Sequence, residues 1–309
     1  MKKIINSVIV LLLIFTAKAQ NTLPEVVSGK LERIENFESK HVTSRNIDIW
    51  VPENYSESKK YAVLYMHDGQ MLFDPKSSWN KQAWNIDNVA SKLLESNKIK
   101  DFIVVGIWNG GATRHSDYFP KKPFHYLSQS QKDTLNTQLK HSHVPIKTSF
   151  EPESDNYLKF IVEELKPYID KNYSVSSDQA NTYIMGSSMG GLISMYAICE
   201  YPNIFGGAAC LSTHWPGSFT LKNNSMPEAF IKYLDNHLPN PKNHKIYFDC
   251  GDKTLDELYP DIQQKVDQVM IKKGYNKNNW STQFFPGENH SENAWSKRLH
   301  IPLEFLLKK

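Results

Sequence analysis

Short, largely apolar runs alternate with amphipathic stretches along most of the chain. Residues 61–66, 102–108, 182–185, 207–211, 245–248 and 282–285 are such runs, and runs of this length suit strands covered on both faces. Residues 43–51 alternate apolar and polar positions instead, which predicts an antiparallel hairpin strand at a sheet edge. Leu158, Ile161, Val162 and Leu165 recur at i, i+3, i+4 and i+7, and Ile262, Val266, Val269 and Met270 at i, i+4, i+7 and i+8, so both stretches predict helices with one buried face. Gly274 stands where a helix C-cap glycine is expected. Strand and helix signals in alternation predict an α/β domain with a mainly parallel central sheet flanked by helices. No repeat or low-complexity linker interrupts residues 40–309, so residues 20–309 are expected to form a single domain.

One stretch breaks the pattern. Residues 109–153 hold Gly110 and Gly111, four prolines and four histidines, with little apolar periodicity. So long a connection in a compact domain is usually functional. A lid or substrate-binding insertion is therefore expected there, over the carboxyl ends of the strands, where open α/β sheets bind ligands.

Charge changes the picture little. The chain carries 36 basic and 33 acidic residues, but three of the basic ones and no acid fall in residues 1–19, so the remainder is balanced. A balanced chain with 40% hydrophobic residues offers no electrostatic footprint for nucleic acid and argues against intrinsic disorder. The first residues read as a secretory signal peptide: Lys2 and Lys3, an apolar run over residues 8–15, then Ala17-Lys18-Ala19 as a cleavage signal. The run is too short to span a membrane. A secreted or periplasmic protein without stable membrane insertion is expected. Cys199, Cys210 and Cys250 fall in segments that read as core and show no metal-ligand spacing, so buried thiols are expected rather than disulfides or a redox pair.

The sharpest chemical signal is Gly186-Ser187-Ser188-Met189-Gly190-Gly191, between a predicted strand and a predicted helix. A nucleophilic serine needs a tight turn that exposes its hydroxyl, and flanking glycines remove the Cβ atoms that would clash there. Ser188 is thus the candidate nucleophile, and Ser187 is expected to point away. For this order of elements the acid and then the histidine should follow along the chain. His290 lies after the last predicted strand and is the candidate base. The segment after residue 248 offers Asp249, Asp252 and Asp256; Asp256 is favoured, then Asp252, while Asp249 is too close to the strand body. The oxyanion-hole amides are expected from Met189 and from Gln70 or Gly69, in the His67-Asp68-Gly69-Gln70 turn. His67 and Asp68 lack a metal-ligand spacing, so no metal and no cofactor are expected. His214, which also follows a predicted strand, is a candidate substrate-pocket residue.

Taken together, YMHDGQMLFDP, GSSMGGLISMYA, STHWP, YFDCGDKTLDELYP and GENHSENAWSKRL resemble the "Putative esterase" family of α/β-hydrolases, over residues 42–307. That family includes esterase D, feruloyl and acetyl-xylan esterases, siderophore esterases and mycolyltransferases. The resemblance implies an α/β-hydrolase fold with the insertion after the fourth strand, and a serine hydrolase of carboxylic esters. It also suggests the pocket: Arg114 and Tyr118, in the segment after the fourth strand, as substrate-binding residues with Arg114 reaching the active site, and Trp215, Trp295 and Trp108 beside Tyr118 as aromatic walls, Trp215 the favoured substrate-binding one. Leu255-Asp256 matches the family, and Asp252 stands where relatives often carry Thr. Many members, however, place the acid three residues after the glycine of Gly251, where this chain has Thr254. Some siderophore esterases of the family are thought to use a Ser–His pair alone.

The expected function is a serine esterase that forms an acyl-Ser188 intermediate and acts on acylated or feruloylated carbohydrate, as small molecule or polysaccharide. The alternatives are a siderophore trilactone esterase, an acyltransferase with a sugar acceptor, and a non-catalytic carbohydrate-binding module. The sequence carries no readable signal of oligomeric state.

Overall fold

The computed structural model describes residues 23–146 and 148–309; the leader expected over residues 1–19 lies outside them. Eight strands form one sheet: β1 Lys30–Phe37, β2 Arg45–Val51, β3 Ala62–His67, β4 Phe102–Ile107, β5 Thr182–Ser187, β6 Gly207–Leu211, β7 Lys245–Cys250 and β8 Trp280–Phe284. Their order is β1-β2-β4-β3-β5-β6-β7-β8. β1 pairs antiparallel with β2 and β2 antiparallel with β4, and every later pair is parallel. The mainly parallel sheet of an α/β-hydrolase fold is therefore present.

Both faces of the sheet are buried, which is why its strands read as unbroken apolar runs. Val63 and Tyr65 of β3 and Ile103 and Val105 of β4 pack into one core, which also holds buried residues of the helices Met189–Glu200, Met226–His237 and Pro260–Lys272. Leu64 and Met66 of β3 and Val104 of β4 face the other core, under the helices Ile86–Glu95 and His300–Leu307. β2 is not at the edge as its alternation suggested. It lies between β1 and β4 with most of its residues buried. The edge is β1, whose charged sequence KLERIENF buries only Leu31 fully and so carries a weak strand signal.

The helix predicted around residues 158–165 runs from Ser154–Lys159 through a π-helical segment, Phe160–Leu165, into Lys166–Asn172. Pro167 has no N–H, and its ring would meet the carbonyl of residue 163, which accounts for the widened turn. Gly274 follows the helix Pro260–Lys272 with φ of 85°, as a C-cap glycine should. Cys199, Cys210 and Cys250 are buried and free, and burial pushes the Cys250 thiol up to about 12.

The insertion after β4 is helical rather than a loop, with helices Arg114–Tyr118, Lys121–Phe124 and Gln129–His141. Its aromatic residues are core, apart from the exposed Tyr126. Phe119 packs on Phe124, Phe150 and Phe230 at ring separations of 6.2, 5.0 and 5.8 Å. The Arg45–Asp117 ion pair, 3.1 Å and almost fully buried, ties the insertion to β2. Near its start, Asn109 and Arg114 meet Asp68 just past the carboxyl end of β3. Because Phe119 sits at the hub of this cluster, Phe119→Ala should lower the unfolding free energy by about 3–5 kcal/mol. Urea titration measures this, and a loss below about 1 kcal/mol would show that the insertion packs independently of the core.

Candidate active site

The turn from β5 into the helix Met189–Glu200 is built as the motif requires. Ser188 has φ of 57° and ψ of −121°, a conformation that costs a non-glycine residue on the order of 1–3 kcal/mol. Its surroundings hold it there: Ser188 N donates to Leu211 O at 2.9 Å, and Ser188 O accepts from Leu192 N and His214 N. A Cβ on Gly186 would lie 2.7 Å from the backbone of Gly190, so the close approach excludes any side chain. Ser188 is partly exposed, and its side chain is within hydrogen-bonding reach of the Tyr259 hydroxyl.

Asp256 lies in the short helix Thr254–Leu258 after β7 and is fully buried. Its carboxylate accepts from His290 Nδ1 at 2.5 Å, Ser212 Oγ at 2.6 Å and Gly251 N at 2.7 Å. Burial pushes its pKa up, but the bonds from His290, Ser212 and Gly251 outweigh burial and hold it below the usual carboxylate range. Asp252 has a different partner, since its Oδ1 accepts from Gly287 N at 2.7 Å. Thr254 Oγ1, three residues after Gly251, accepts from His290 N at 3.0 Å and so fixes the loop carrying the imidazole. Trp295 and Tyr259 stand edge-on to the His290 ring, at 5.0 and 5.8 Å.

Behind the carboxylate lies a network that the motifs did not signal. Ser212 Oγ donates to Asp256 and accepts from Trp295 Nε1 at 2.9 Å and Arg298 Nη2 at 3.1 Å. Arg298 in turn pairs with Asp249 at 2.8 Å, both side chains being buried. Asp249 therefore serves an ion pair beneath the site, while Ser212 orients Asp256. Ser212 and Arg298 sit inside the quoted STHWP and GENHSENAWSKRL stretches, but nothing in their spacing separates them from ordinary polar residues.

Across the cleft, Asp68 takes Arg114 Nε at 2.7 Å and Nη2 at 2.8 Å, and Asn109 Nδ2 at 2.7 Å. Burial pushes the Asp68 carboxyl up, but the Arg114 pair more than reverses it and holds the pKa low. Asn109 N also donates to Gln70 Oε1 at 3.2 Å, so the turn that holds Gln70 is tied to the start of the insertion. The amides of Met189 and Gln70 each lie in the first turn of a helix, where no intrahelical acceptor exists.

Ser188, His290, Arg114, Asp68, Asn109, Ser187, Glu292, Asn80, Trp79, Trp84 and Trp295 line one cleft of about 350 Å³. Several expectations are corrected here. Ser187 is buried and also borders the cleft. Trp215 is fully buried, with its indole N–H on Gln263 and its ring against Phe248 and Phe230. His214 is buried as well, with Nδ1 on the Tyr259 hydroxyl, and Tyr118 lies beneath Arg114 with its hydroxyl accepting from Asp68 N. Trp108 bonds Asp48 away from the cleft. Of the proposed aromatic walls, Trp295 lines it; Trp79 and Trp84 were not foreseen, because they fall in a stretch without strand or helix periodicity. Among the described residues, no group of three or more His, Cys, Asp or Glu side chains could hold a metal ion.

Three histidines stay neutral around this cleft, among them His115, which burial and the neighbouring Arg114 bring down to about 3. Burial, reinforced by Arg114 and Arg45 against the opposing Asp68, brings His67 down to about 3. Burial likewise pushes His214 well down. A histidine that stays neutral in the fold but titrates near 6.5 when unfolded contributes stability above that pH, and loses it as pH falls towards the folded value. Between pH 7 and pH 5, His67 alone should cost roughly 2 kcal/mol of unfolding free energy, with His214 adding in the same direction. Urea titrations at the two pH values test this; equal stabilities would mean that the rings accept protons without unfolding.

The model of the family described as "Putative esterase" matches residues 41–304. In sequence, the chain is 23% identical over 274 residues to the "Uncharacterized protein YbbA" of Bacillus subtilis strain 168, covering 86% of this chain and 94% of that protein. It is 23% identical over 234 residues to an "Endo-1,4-beta-xylanase/feruloyl esterase" of Xylanibacter ruminicola, covering 74% of this chain and 26% of that protein. In structure, the ferulic acid esterase AmCE1/Fae1A of the anaerobic fungus Anaeromyces mucronatus superposes with a TM-score of 0.62 at 18% identity, covering 93% and 95% of the two chains. With the family match spanning β2 to β8, the serine turn and the histidine loop, the chain belongs to the "Putative esterase" family of α/β-hydrolases and is a carboxylic ester hydrolase.

Proposed function

We propose that this chain is an exported serine esterase that removes acyl groups, feruloyl or acetyl among them, from carbohydrate. The observation that carries the catalytic part is the 2.5 Å contact of buried Asp256 with His290 Nδ1, in the cleft where Ser188 stands on its strained turn. Asp256 fixes the tautomer that leaves Nε2 of His290 as the proton acceptor. The Ser188 hydroxyl rotates from Tyr259 towards that nitrogen and gives up its proton as Oγ bonds the ester carbonyl carbon. The carbonyl oxygen charges against the amides of Met189 and Gln70. The tetrahedral centre then collapses, the C–O bond to the alcohol breaks, and His290 returns the proton to the departing oxygen. Water attacks acyl-Ser188 by the same sequence and frees the acid.

The carbohydrate part rests on the polar cleft, on the relative whose name joins a xylanase to a feruloyl esterase, and on the leader. Asp68 pairs with Arg114, and Glu292, which accepts from the Asn80 amide, shares the field of the same single guanidinium. The surplus acid disfavours polyanionic substrates. No helix among the described residues is long and apolar enough to cross a membrane. Export predicts that protein recovered from the medium or periplasm begins near Gln20 on N-terminal sequencing.

Ser188→Ala should reduce hydrolysis of p-nitrophenyl acetate to background; equal rates for variant and wild type would end this reading. Asp256→Asn should lower kcat by roughly 10³–10⁴, the cost of losing the correct imidazole tautomer. Asp252→Asn should cost far less, and the reverse ranking would reassign the acid. Ser212→Ala removes one charge-assisted hydrogen bond from Asp256 and should lower kcat about tenfold, with KM little changed.

A further inference from the structure

Resting on the esterase reading above, we propose that Trp79 is a saccharide-binding subsite, the platform on which the sugar ring of the alcohol moiety stacks outside the catalytic cleft. Trp79 lines the cleft yet is 83% exposed. Among the described residues it has no hydrogen-bonding, ring or cationic partner. An indole left in water is apolar surface awaiting a partner. Its two neighbours in the cleft differ: Trp84 and Trp295 are buried and lie against each other at 5.6 Å, so they form the wall.

Trp79 is also held ready. Ser78 beside it is buried and donates to Pro75 O at 3.0 Å. Asn80 on the other side accepts from Gln82 N and donates to Glu292 Oε2 at 2.9 Å. The segment is then clamped to the C-terminal helix region by Asn293 N on Gln82 Oε1 at 3.3 Å and by Asn85 Nδ2 on Ser296 Oγ at 3.2 Å. A platform fixed before the ligand arrives spares the ordering cost of binding.

Position decides which half of the ester meets it. A group covering an indole so exposed remains outside while the carbonyl sits at Ser188, which fits the alcohol side rather than an enclosed acyl group. The surrounding polar groups, Asn80, Glu292, Asn109 and Arg114, match a hydroxyl-bearing ring that offers one apolar C–H face to the indole and hydroxyls to the amides and charges.

The test compares wild type, Trp79→Ala and Trp79→Phe on a feruloylated arabinoxylo-oligosaccharide and on methyl ferulate. The ratio of kcat/KM for the oligosaccharide over the methyl ester should fall about tenfold in Trp79→Ala, through KM, and Trp79→Phe should restore most of it. An unchanged ratio, including equal losses on both esters that would place the indole against the acyl group, overturns the proposal. In parallel, unesterified arabinoxylo-oligosaccharide is titrated into Ser188→Ala and Ser188→Ala/Trp79→Ala by calorimetry. Saturable binding to the first that is lost in the second supports the subsite even if wild type proves inactive on both esters; absence of binding, or binding equal in the two, overturns it.

Discussion

A carboxylate with no surface in water must find every bond it needs inside the protein, and Asp256 sets that requirement at the centre of this molecule. Its partners come from distant parts of the chain: Ser212 after β6, Gly251 after β7 and His290 after β8. Three successive parallel strands therefore have to end at one level. Their register does this, with Leu211 opposite Asp249 and Cys250 opposite Phe284. The C-terminal helices join the same point, because Trp295 and Arg298 both donate to the hydroxyl that donates to Asp256.

Charges elsewhere in the site follow the same economy of pairing. Arg298 meets Asp249 and Arg45 meets Asp117 with almost no water at the contact, and Arg114, partly exposed to the cleft, meets Asp68. Such pairs break even at best as stabilisers, but they fix orientation, and a missing partner would strand a charge. Here they lock three turns that the cleft depends on: the end of β6, the Gln70 turn and the base of the insertion. His67 and His214 extend the rule by remaining neutral.

The serine turn was legible because its chemistry demands a backbone that only small neighbours allow, and Gly186 and Gly190 report that demand directly. His290 was legible from its place after the last strand. Asp256 and Asp252 were harder to tell apart, since both stand in a turn whose path the sequence does not reveal. The path bends so that Asp252 meets Gly287 and Asp256 meets His290. Trp215 misled because a residue just past a strand can fall on either side of the sheet, and this one fell inward onto Gln263. The insertion's helices were missed since Arg114–Tyr118 and Lys121–Phe124 are too short for a repeating face, and Gln129–His141 buries only Leu135 and Leu139. β2 alternates as an edge strand would, yet β1 covers it.

The ties between the Trp79 segment and the C-terminal helix region have a mechanical meaning. Asn80, Gln82 and Asn85 meet Glu292, Asn293 and Ser296 across more than 200 residues of chain, and Trp84 rests on Trp295 between them. Widening the entrance would break these contacts together, so its aperture is a fixed gauge rather than a door. This side of the rim is therefore set before any ester arrives, and the shape it presents is the shape a substrate has to match.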